Sequence, residues 1–551
     1  MGVGYAWAMA LEGLDGLAVR VECDLGMGLP GISVIGMGDA AVVQARDRVR
    51  AALNNSGLQW PGQKVVMSLS PAGVPKHGAR YDLAMVCAML AARTTKAGMQ
   101  ERLKSAVLVG ELGLDGRLRP VSGVLPSAVA ASRRGFHCMV VPEANYAEAA
   151  HVAELVRDVR IWVAGALVDV VRWMRTGEGL MEAREFAQLM GQDANSQGVG
   201  GQGTDRQGAE GMHAQEPNRS ASSWRGHTGD APDMADVASQ PEARRALEVA
   251  AAGRHNLMLL GPPGTGKSML AQRLPGILPE LTTHELLESA ALHSIAGGNS
   301  QMHQIFLGRR PFIAPHHTVT QAGLIGGGAR PKPGAVSLAH HGVLFLDEIP
   351  EVARAVVDTL RVPMETQYVE LTRQQRTWKF PAKFQLVCAA NPCPCGAEFD
   401  TQCTCASGIR ARYQSKLSGP LRDRIDIFAR TRSNKLASLR PGGEESSASV
   451  RQRVVEADGR ARARWAGVDK EGTYKHAVNA NIPGKVMRKD APAEDEGMWA
   501  LQDLLRRGTL SQRGVDRALR VSWTLADLHG KTRPGAAEIL DAVEMYSDDS
   551  E

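Results

Sequence analysis

The first 175 residues alternate between short apolar runs and segments of helical periodicity. Val65–Leu69 and Cys138–Val141 have the length of strands, whereas Ala40–Leu53 and Tyr81–Ala92 repeat apolar residues at helical spacing. This mixture predicts a folded domain of helices and strands over residues 1–175. Residues 176–232 are rich in Gly, Gln, Ser, Asp and Asn, and they carry too few large apolar side chains to offset chain entropy. We expect a flexible linker there.

Strong periodic patterns resume at Asp233 and predict an α/β core over residues 233–432. A second loop-rich stretch, Ser433–Ser449, leads into a part dominated by helical periodicity, and we expect a helical lid domain over residues 433–551. No apolar run reaches the roughly 18 residues that cross a bilayer, and the longest candidate, Ile161–Met174, is interrupted by Asp169. The pattern therefore predicts a multidomain α/β protein without a membrane-spanning segment.

Composition and charge narrow the class of protein. Of the 551 residues, 44% are hydrophobic and 22% charged, which excludes a collagen, a coiled-coil rod and a mostly disordered chain. The 64 basic and 59 acidic residues give a net charge of +5, so an argument for nucleic-acid binding must rest on local patches. Four of the eight cysteines are scattered and four are crowded together, which is not a disulfide framework. We expect a soluble, cytoplasmic protein.

The most specific motif is a glycine-rich octapeptide after the apolar run Asn256–Leu260. Its sequence, GPPGTGKS, satisfies the phosphate-loop pattern G-x-x-x-x-G-K-[ST], and the helical stretch Met269–Leu274 follows it. In such a loop the backbone N–H groups bind phosphate oxygens, the lysine reaches the β- and γ-phosphates, and the serine binds Mg²⁺. We therefore expect ATP and Mg²⁺ to be bound by Gly261, Pro262, Pro263, Gly264, Thr265, Gly266, Lys267 and Ser268.

Two further apolar runs end in polar residues that suit phosphate chemistry. Asp347 and Glu348 follow one of them; Asp347 would hold Mg²⁺ through water, and Glu348 would act as general base on the attacking water. Asn391 follows the other run and would orient that water. A simple turn asparagine would give the same pattern at Asn391.

Two later arginines are candidates for sensing the γ-phosphate. Arg424 suits an arginine finger that reaches the nucleotide of a neighbouring subunit, and Arg422 is its rival. Arg513 follows Ser511, the expected N-cap of a helix, and would reach the γ-phosphate from the lid. Salt-bridged or solvated surface arginines are the alternatives.

The order of these motifs resembles that of AAA+ ATPases. Longer strings, RRALEVAAAGRHNL from Arg244, RPFIAPHHT from Arg310 and NPCPCG from Asn391, are similar to the magnesium-chelatase-like ATPases of the ComM/YifB type. The resemblance covers nearly the whole chain apart from the linker. It implies an AAA+ P-loop NTPase core and a homo-oligomeric, hexameric ring, and the family includes a helicase that drives DNA branch migration during natural transformation. Ser239 stands where the family usually has Gly.

The first 175 residues also resemble a Lon-protease-like domain, which implies a ribosomal S5 domain 2-like α+β fold. Lon proteolysis needs a Ser nucleophile and a Lys that activates it. Ala79 and Arg80 stand where the Ser should follow the Pro75-Lys-His-Gly turn, and no Lys follows Gly123 in the stretch GVLPSA. The resemblance therefore implies a degenerate, non-proteolytic domain.

Two segments are candidates for DNA contact. Alternating runs around a polar centre between Tyr368 and Phe380 predict a β-hairpin, and six copies in a ring would direct its positive charge into one channel. The glycine-containing loop over residues 314–337 is the second candidate, as a mobile gripping loop. The residues expected to contact DNA are Arg373, Arg376, Lys379, Lys383, His316 and His317. A solvated hairpin edge and a structural histidine pair are the alternatives.

The crowded cysteines are Cys393, Cys395, Cys403 and Cys405. Four thiolates suit a tetrahedral Zn²⁺ site that would fix the turn after Asn391. The C-x-C spacing is less usual for zinc than C-x-x-C, so reduced thiols in a tight loop remain the alternative.

The sequence favours an ATPase that works as a ring motor on single-stranded or branched DNA, as in branch migration during recombination. A magnesium-chelatase-type motor that drives metal insertion with partner subunits is one alternative, although the Lon-like domain argues against it. A ring that remodels protein partners is the other.

Overall fold

A computed structural model describes residues 3–36, 40–94, 97–196, 232–297, 301–328, 331–373, 376–397, 403–416, 419–432, 444–468 and 472–546. The chain divides into two compact units, Met1–Ala231 and Pro232–Glu551. Residues 197–231 of the expected linker and 433–443 of the second loop-rich stretch lie outside the described residues. Within the described ranges, no helix is long and apolar enough to cross a bilayer.

The first unit is built on a mixed sheet of eight strands in the order β10-β9-β8-β5-β1-β2-β4-β3. The strands of the unit, including a separate two-stranded ribbon of β6 and β7, are β1 Gly4–Glu12, β2 Asp15–Gly26, β3 Gly31–Ile35, β4 Lys64–Ser70, β5 Ala106–Leu108, β6 Glu111–Leu112, β7 Leu118–Arg119, β8 Cys138–Pro142, β9 Arg160–Ala164 and β10 Met181–Glu182. Its helices are α1 Ala40–Asn55, α2 Asp82–Ala92, α3 Ala97–Ser105, α4 Val124–Arg133, α5 Tyr146–Leu155, α6 Leu167–Thr176 and α7 Ala183–Ser196. Helix α2 is buried along its whole length, and it approaches β1 so closely that a Cβ on Gly4 would lie 2.2 Å from the Ala88 carbonyl oxygen.

The expected linker begins later than residue 176. Strand β10 pairs with β9, and α7 packs against α5, where Phe186 meets Tyr146 edge to edge with ring centroids 5.6 Å apart. These contacts fold a segment whose polar composition predicts none. Secondary structure in the described part of the first unit therefore extends to Ser196.

The second unit contains a five-stranded parallel sheet in the order β12-β15-β18-β11-β19. Its strands, with two separate ribbons, are β11 Leu257–Leu260, β12 Phe312–Ile313, β13 Gly326–Gly327, β14 Lys332–Pro333, β15 Val343–Leu346, β16 Tyr368–Arg373, β17 Arg376–Pro381, β18 Gln385–Ala390 and β19 Ile427–Arg430. The helices of this part are α8 Pro241–Gly253, α9 Lys267–Ile277, α10 Thr283–Ala296, α11 Gln301–Phe306, α12 Gln321–Ile325, α13 Ala335–Leu338, α14 Arg354–Val357, α15 Arg361–Thr366, α16 Ser407–Gln414 and α17 Gly419–Arg422. Strands β15 and β18 are buried throughout, which is typical of a parallel sheet covered on both faces.

The C-terminal part is helical, as expected. It consists of α18 Ser447–Val468, α19 Gly484–Lys489, α20 Asp495–Arg506, α21 Gln512–Leu528 and α22 Ala536–Tyr546. Ser511 caps α21 by accepting the Gly514 N–H at 3.1 Å. Val521 and Leu525 of α21 share one apolar cluster with Leu257 and Leu259 of β11, so α21 packs directly on the core.

Candidate active site

One edge of the parallel sheet collects the residues predicted to handle phosphate. Strands β11, β15 and β18 are hydrogen-bonded neighbours, and Gly261, Asp347 and Asn391 follow them directly. The carboxyl ends of parallel strands meet at the same edge, which is the usual ligand-binding edge of such sheets. Gly261 and Asn391, which are 130 positions apart in sequence, therefore become neighbours.

The phosphate loop between β11 and α9 has the backbone that its glycines permit. Gly264 and Gly266 have φ values of +79° and +85°, in the left-handed region that side chains disfavour. A Cβ on Gly261 would lie 2.1 Å from the Thr431 hydroxyl oxygen, so glycine also permits the close approach of the segment after β19. Helix α9 begins at Lys267, which places a helix N-terminus behind the loop. This geometry fits a triphosphate.

Lys267 links the phosphate loop to the end of the neighbouring strand β18. Its ammonium donates hydrogen bonds to the carbonyl oxygens of Gly261 at 2.7 Å and Pro262 at 2.8 Å, and to Asn391 Oδ1 at 3.0 Å. Burial lowers the pKa of Lys267, and the nearby carboxylates of Asp347 and Glu348 oppose that change. Because this ammonium is already shielded from bulk water, it can bind a phosphate without first losing a full hydration shell.

Ser268 and Asp347 form an oxygen-rich pair beside the lysine. The Ser268 hydroxyl donates to Asp347 Oδ2 at 2.6 Å, and these hard oxygen donors suit Mg²⁺. The other carboxylate oxygen accepts the Glu348 N–H at 3.0 Å. Glu348 itself has a φ of +48°, an unfavourable region for a residue with a side chain, and its side chain is exposed. An exposed carboxylate next to this oxygen-rich pair can accept a proton from water.

Gln240 and Thr431 also lie at this edge, but the sequence does not predict them, because their partners are distant in the chain. Gln240 exchanges two hydrogen bonds with the backbone of Arg432, at 2.8 and 3.1 Å, and so ties the start of α8 to the segment after β19. Thr431 bonds the Thr265 hydroxyl at 2.7 Å. The neighbouring Ser239 has a φ of +55°, which explains physically why glycine suits that position.

Arg424 and Arg513 lie at the other edge of the sheet. Arg424 comes just before β19, where its guanidinium pairs with Glu365, and Arg513 donates to Asp423 Oδ2 at 3.0 Å. Since β19 has four residues, about 13 Å separates this amino edge from the carboxyl edge. Arg513 therefore lies away from the phosphate loop of its own chain, and its contact with a γ-phosphate from the lid stays a prediction. Arg422, the rival of Arg424, lies over the Phe428 ring at 5.7 Å.

The predicted hairpin forms, from β16 and β17, in the register that pairs Arg373 with Arg376. The Thr372 and Thr377 hydroxyls bond across it at 3.1 Å, and residues 374–375 at its tip lie outside the described residues. Lys379 lies 4.1 Å from the centre of the Tyr368 ring and 3.7 Å from Glu370. Positive charge is thus concentrated at the tip.

Lys383 does not belong to this hairpin surface. It follows the end of β17, and its backbone N–H donates to His340 Nδ1 at 2.9 Å while its carbonyl accepts the His341 N–H at 2.7 Å. Burial lowers the pKa of its ammonium. Its side chain lines a cavity away from the hairpin, so a DNA contact at Lys383 gains no support from the hairpin and stays a prediction.

The second predicted gripping segment is largely folded. Residues 314–337 contain α12, the β13–β14 ribbon and most of α13, and Arg330 lies outside the described residues. The rings of His316 and His317 are 4.0 Å apart, and His316 Nδ1 lies 2.8 Å from the Thr318 hydroxyl within a local turn. His316 is exposed, so it stays a candidate for contact with a ligand.

The four clustered cysteines bring their sulfur atoms within 4.8 Å of one another. Cys403 Sγ lies 3.6 Å from Cys393 Sγ and 3.7 Å from Cys395 Sγ. A tetrahedral zinc site with Zn–S bonds of about 2.3 Å has sulfur atoms about 3.8 Å apart. A hydrogen bond from the Cys393 thiol, and to a lesser extent those from backbone N–H groups, lower the pKa of Cys395 to about 5. The thiolate is the form that binds metal. The donor set fits Zn²⁺.

This cysteine turn packs against the phosphate loop. Gly396 has a φ of +73°, and a Cβ there would lie 2.6 Å from Cδ of Pro263. The loop and the cysteine cluster therefore share a contact surface with no room for a side chain.

A second group of potential metal ligands, Glu288, His340 and His341, forms a hydrogen-bonded network instead. Burial lowers the pKa of His340, so its ring is neutral, and its Nδ1 accepts the Lys383 N–H. The ring proton therefore resides on Nε2 and faces Glu288 Oε2 at 3.3 Å. That nitrogen has no lone pair for a metal.

In the first unit, the predicted protease positions hold a different pair. Arg80 donates to the Ser127 hydroxyl at 2.7 Å, and Ser127 donates to the Gly123 carbonyl at 2.6 Å. A guanidinium keeps its protons at neutral pH, so Arg80 cannot activate Ser127 as a lysine would. Lys76 is fully buried and donates to the Pro71 carbonyl.

Comparison with known proteins finds a partial similarity to Lon proteases. Over 149 residues, 26% of this chain and 18% of the other, the sequence is 28% identical to the Lon protease of Mycolicibacterium smegmatis. This partial likeness agrees with the resemblance noted for the first domain.

Models of one family match all three folded parts of the chain. "Magnesium chelatase, subunit ChlI" matches residues 233–439, "Subunit ChlI of Mg-chelatase" matches 21–145, and "Magnesium chelatase, subunit ChlI C-terminal" matches 444–546. An uncharacterized protein of Mycobacterium tuberculosis is 42% identical over 99% of both chains. Competence protein ComM of Haemophilus influenzae is 35% identical over 98% of this chain and 97% of its own, and YifB of Escherichia coli is 36% identical over 96% and 94%. The chain therefore belongs to the magnesium chelatase subunit ChlI family of AAA+ ATPases, together with ComM and YifB.

Proposed function

We propose that this protein is an ATP-hydrolysing ring motor that acts on DNA, as a branch-migration helicase in recombination. The observation that carries the proposal is the division of the site between two edges of one sheet. Lys267, Asp347 and Asn391 occupy the carboxyl edge, whereas Arg424 and Arg513 occupy the amino edge. On this proposal a complete site needs a second copy, and head-to-tail contacts of this kind form rings when their rotation closes. We propose a hexamer.

The chemistry follows from the groups at the carboxyl edge. ATP, when bound, supplies the phosphoanhydride bond. Ser268 and Asp347 would hold its Mg²⁺, and Lys267 would neutralise the β- and γ-phosphates. Glu348 accepts a proton from water that Asn391 orients, while the neighbouring copy's two arginines stabilise charge on the transferred phosphoryl group.

The hairpin provides a route from hydrolysis to DNA. It emerges from α15, whose Glu365 pairs with Arg424 and thus joins the subunit interface to the base of the hairpin. Arg373 and Arg376 at its far end would contact phosphates of a strand inside the ring. The family relationship to a competence protein supports DNA as the partner.

Unwinding of forked DNA tests the proposal. We expect ATP-dependent strand separation and DNA-stimulated hydrolysis from the unaltered protein, and neither from Lys267→Ala. Lys485→Ala, which removes an exposed lysine elsewhere in the same unit, is the matched control and should behave as the unaltered protein. ATP hydrolysis that ignores forked and single-stranded DNA, with no strand separated, would instead indicate a chelatase-type or protein-remodelling motor.

We also propose that the cysteine cluster binds one Zn²⁺ per chain. The sulfur spacing and the lowered pKa of Cys395 support this ligand set. Metal analysis should find one zinc per chain in the unaltered protein and in Cys138→Ser, which removes a cysteine outside the cluster, and much less in Cys403→Ser. A zinc-free unaltered protein contradicts the site.

A further inference from the structure

A cavity of about 510 Å³ lies inside the second unit, between the amino edge of the parallel sheet and the C-terminal helices. Asn256 and Gln385 at the starts of β11 and β18 line one side, and Arg517 and Arg520 of α21 line the other. The volume is in the range of small-molecule sites, which often lie between packed substructures. The phosphate loop of the same chain is at the opposite edge of the sheet. Arg424 and Arg513, which the proposed function assigns to a neighbouring copy's nucleotide, also line the cavity, so the inference rests on other residues of the lining.

Positive charge predominates in this cavity. Its lining contains eight arginine or lysine side chains and five aspartate or glutamate side chains. Each carboxylate already has a basic partner, namely Glu285 with Arg310, Glu365 with Arg424, Asp423 with Arg513, Asp426 with His255, and Asp516 with Arg488. Glu285 acts as a counter-charge to Arg254 and Lys383 as well, and Asp458 to Arg254, but neither carboxylate forms an ion pair with these two cations.

Two of the remaining cations form no side-chain hydrogen bond or ion pair within the described part of the chain. Arg254, at the C-terminal end of α8, makes no hydrogen bond or ion pair through its side chain, and its Nε is buried. The ammonium of Lys383 likewise has none, although backbone bonds to His340 and His341 fix its position. Burial lowers the pKa of both groups, and Arg254 and Lys383 repel each other. Cations held in this way cost free energy unless a counter-charge arrives.

We infer that this cavity is a second anion-binding site, which takes a small anion carrying phosphate groups between Arg254 and Lys383. A phosphate group offers several charged oxygens, so it can bond a planar guanidinium and an ammonium at once. Arg310 on the same lining already has Glu285 as a partner and would reinforce the potential without needing a new bond. The inference does not depend on the proposed action on DNA.

The experiment measures anion binding after the phosphate loop is disabled. In Lys267→Ala, calorimetric titration with pyrophosphate should show one remaining site per chain. Adding Arg254→Gln and Lys383→Gln to that variant should weaken this binding at least tenfold. Adding Arg507→Gln and Lys485→Gln, an arginine and a lysine that are both exposed, should leave it unchanged. Parallel titrations with inorganic phosphate and ADP distinguish a free phosphate from a nucleotide as the occupant.

Stability without anion separates binding from a structural role. Because the two cations are unpartnered, Arg254→Gln or Lys383→Gln alone should keep or raise the unfolding midpoint in anion-free buffer, and each should reduce the rise caused by pyrophosphate. Equal pyrophosphate binding with and without the Arg254→Gln and Lys383→Gln changes overturns the inference. So does a lowered anion-free midpoint in both single variants, or the absence of any binding to Lys267→Ala.

Discussion

A mixing experiment tests whether a complete ATP site is shared between two copies. Lys267→Ala removes the lysine of the phosphate loop but leaves Arg424 at the amino edge. Arg424→Ala leaves the loop intact but removes the arginine that the neighbour needs. Each variant alone has a defect in every interface, and the loss of an arginine finger lowers kcat by roughly 10³- to 10⁵-fold.

The separation of the two edges gives the expected rate of the mixture. In rings formed at random from equal amounts, about half of the loops are intact, and about half of the adjoining copies carry Arg424, so about one quarter of the interfaces are complete. If interfaces act independently, the mixture should regain about a quarter of the unaltered ATPase rate, far above either variant alone.

The assay is ATP turnover after the two variants have been dissociated, mixed and reassembled, with ring mixing verified by native mass spectrometry. Lys267→Ala mixed with Glu348→Gln is the control, because both changes disable the carboxyl edge and no combination completes a site. Verified mixed rings that hydrolyse no faster than the separate variants would refute a shared site. Full activity of Arg424→Ala alone would refute the role of that arginine.

Three further changes test other parts of the structure. Arg373→Ala and Arg376→Ala should each weaken single-stranded DNA binding and reduce its salt-dependence slope by about 0.7, whereas Arg507→Ala should not, as fluorescence anisotropy can show; unchanged slopes exclude a phosphate contact at the tip. Gly396→Ala should weaken ATP binding because its Cβ would meet Pro263, whereas Gly408→Ala, which has open space, should not; equal affinities would show that the cysteine turn does not support the loop. Burial alone would raise the pKa of Glu285, but Arg310 and the Thr282 N–H lower it to about 2 from 4.5. The ionised Glu285 therefore stabilises the folded protein fully above about pH 5, and this contribution is lost as the pH falls towards 2. Glu285→Gln should remove this contribution, about 3 kcal/mol, and flatten the acid limb of thermal unfolding, and an unchanged limb contradicts the ion pair's role.

Local sequence predicts those elements whose chemistry lies in adjacent residues. The run before Gly261 and the glycines at 264 and 266 are sufficient to predict β11, the phosphate loop and α9, because strand burial and left-handed φ values are local requirements. The hairpin follows equally from its alternating pattern. In contrast, α7 has the composition of a linker, and it folds because Phe186 meets Tyr146, forty residues earlier.

The basic residues show why charge alone does not place a function. Lys379 and Lys383 are four positions apart and carry the same charge, so their sequence context predicts one role for both. The pairing of β16 with β17 ends the hairpin before Lys383. Backbone hydrogen bonds to His340 and His341 hold that lysine at the amino edge of the sheet. The position of Arg513 likewise depends on topology, since this residue of α21 lies beside Asp423 rather than at the phosphate loop of its own chain. Under the proposed function, the edge of the sheet at which a cation lies, a property of the topology, therefore decides whether it would serve its own nucleotide, a neighbour's nucleotide or the cavity at the amino edge.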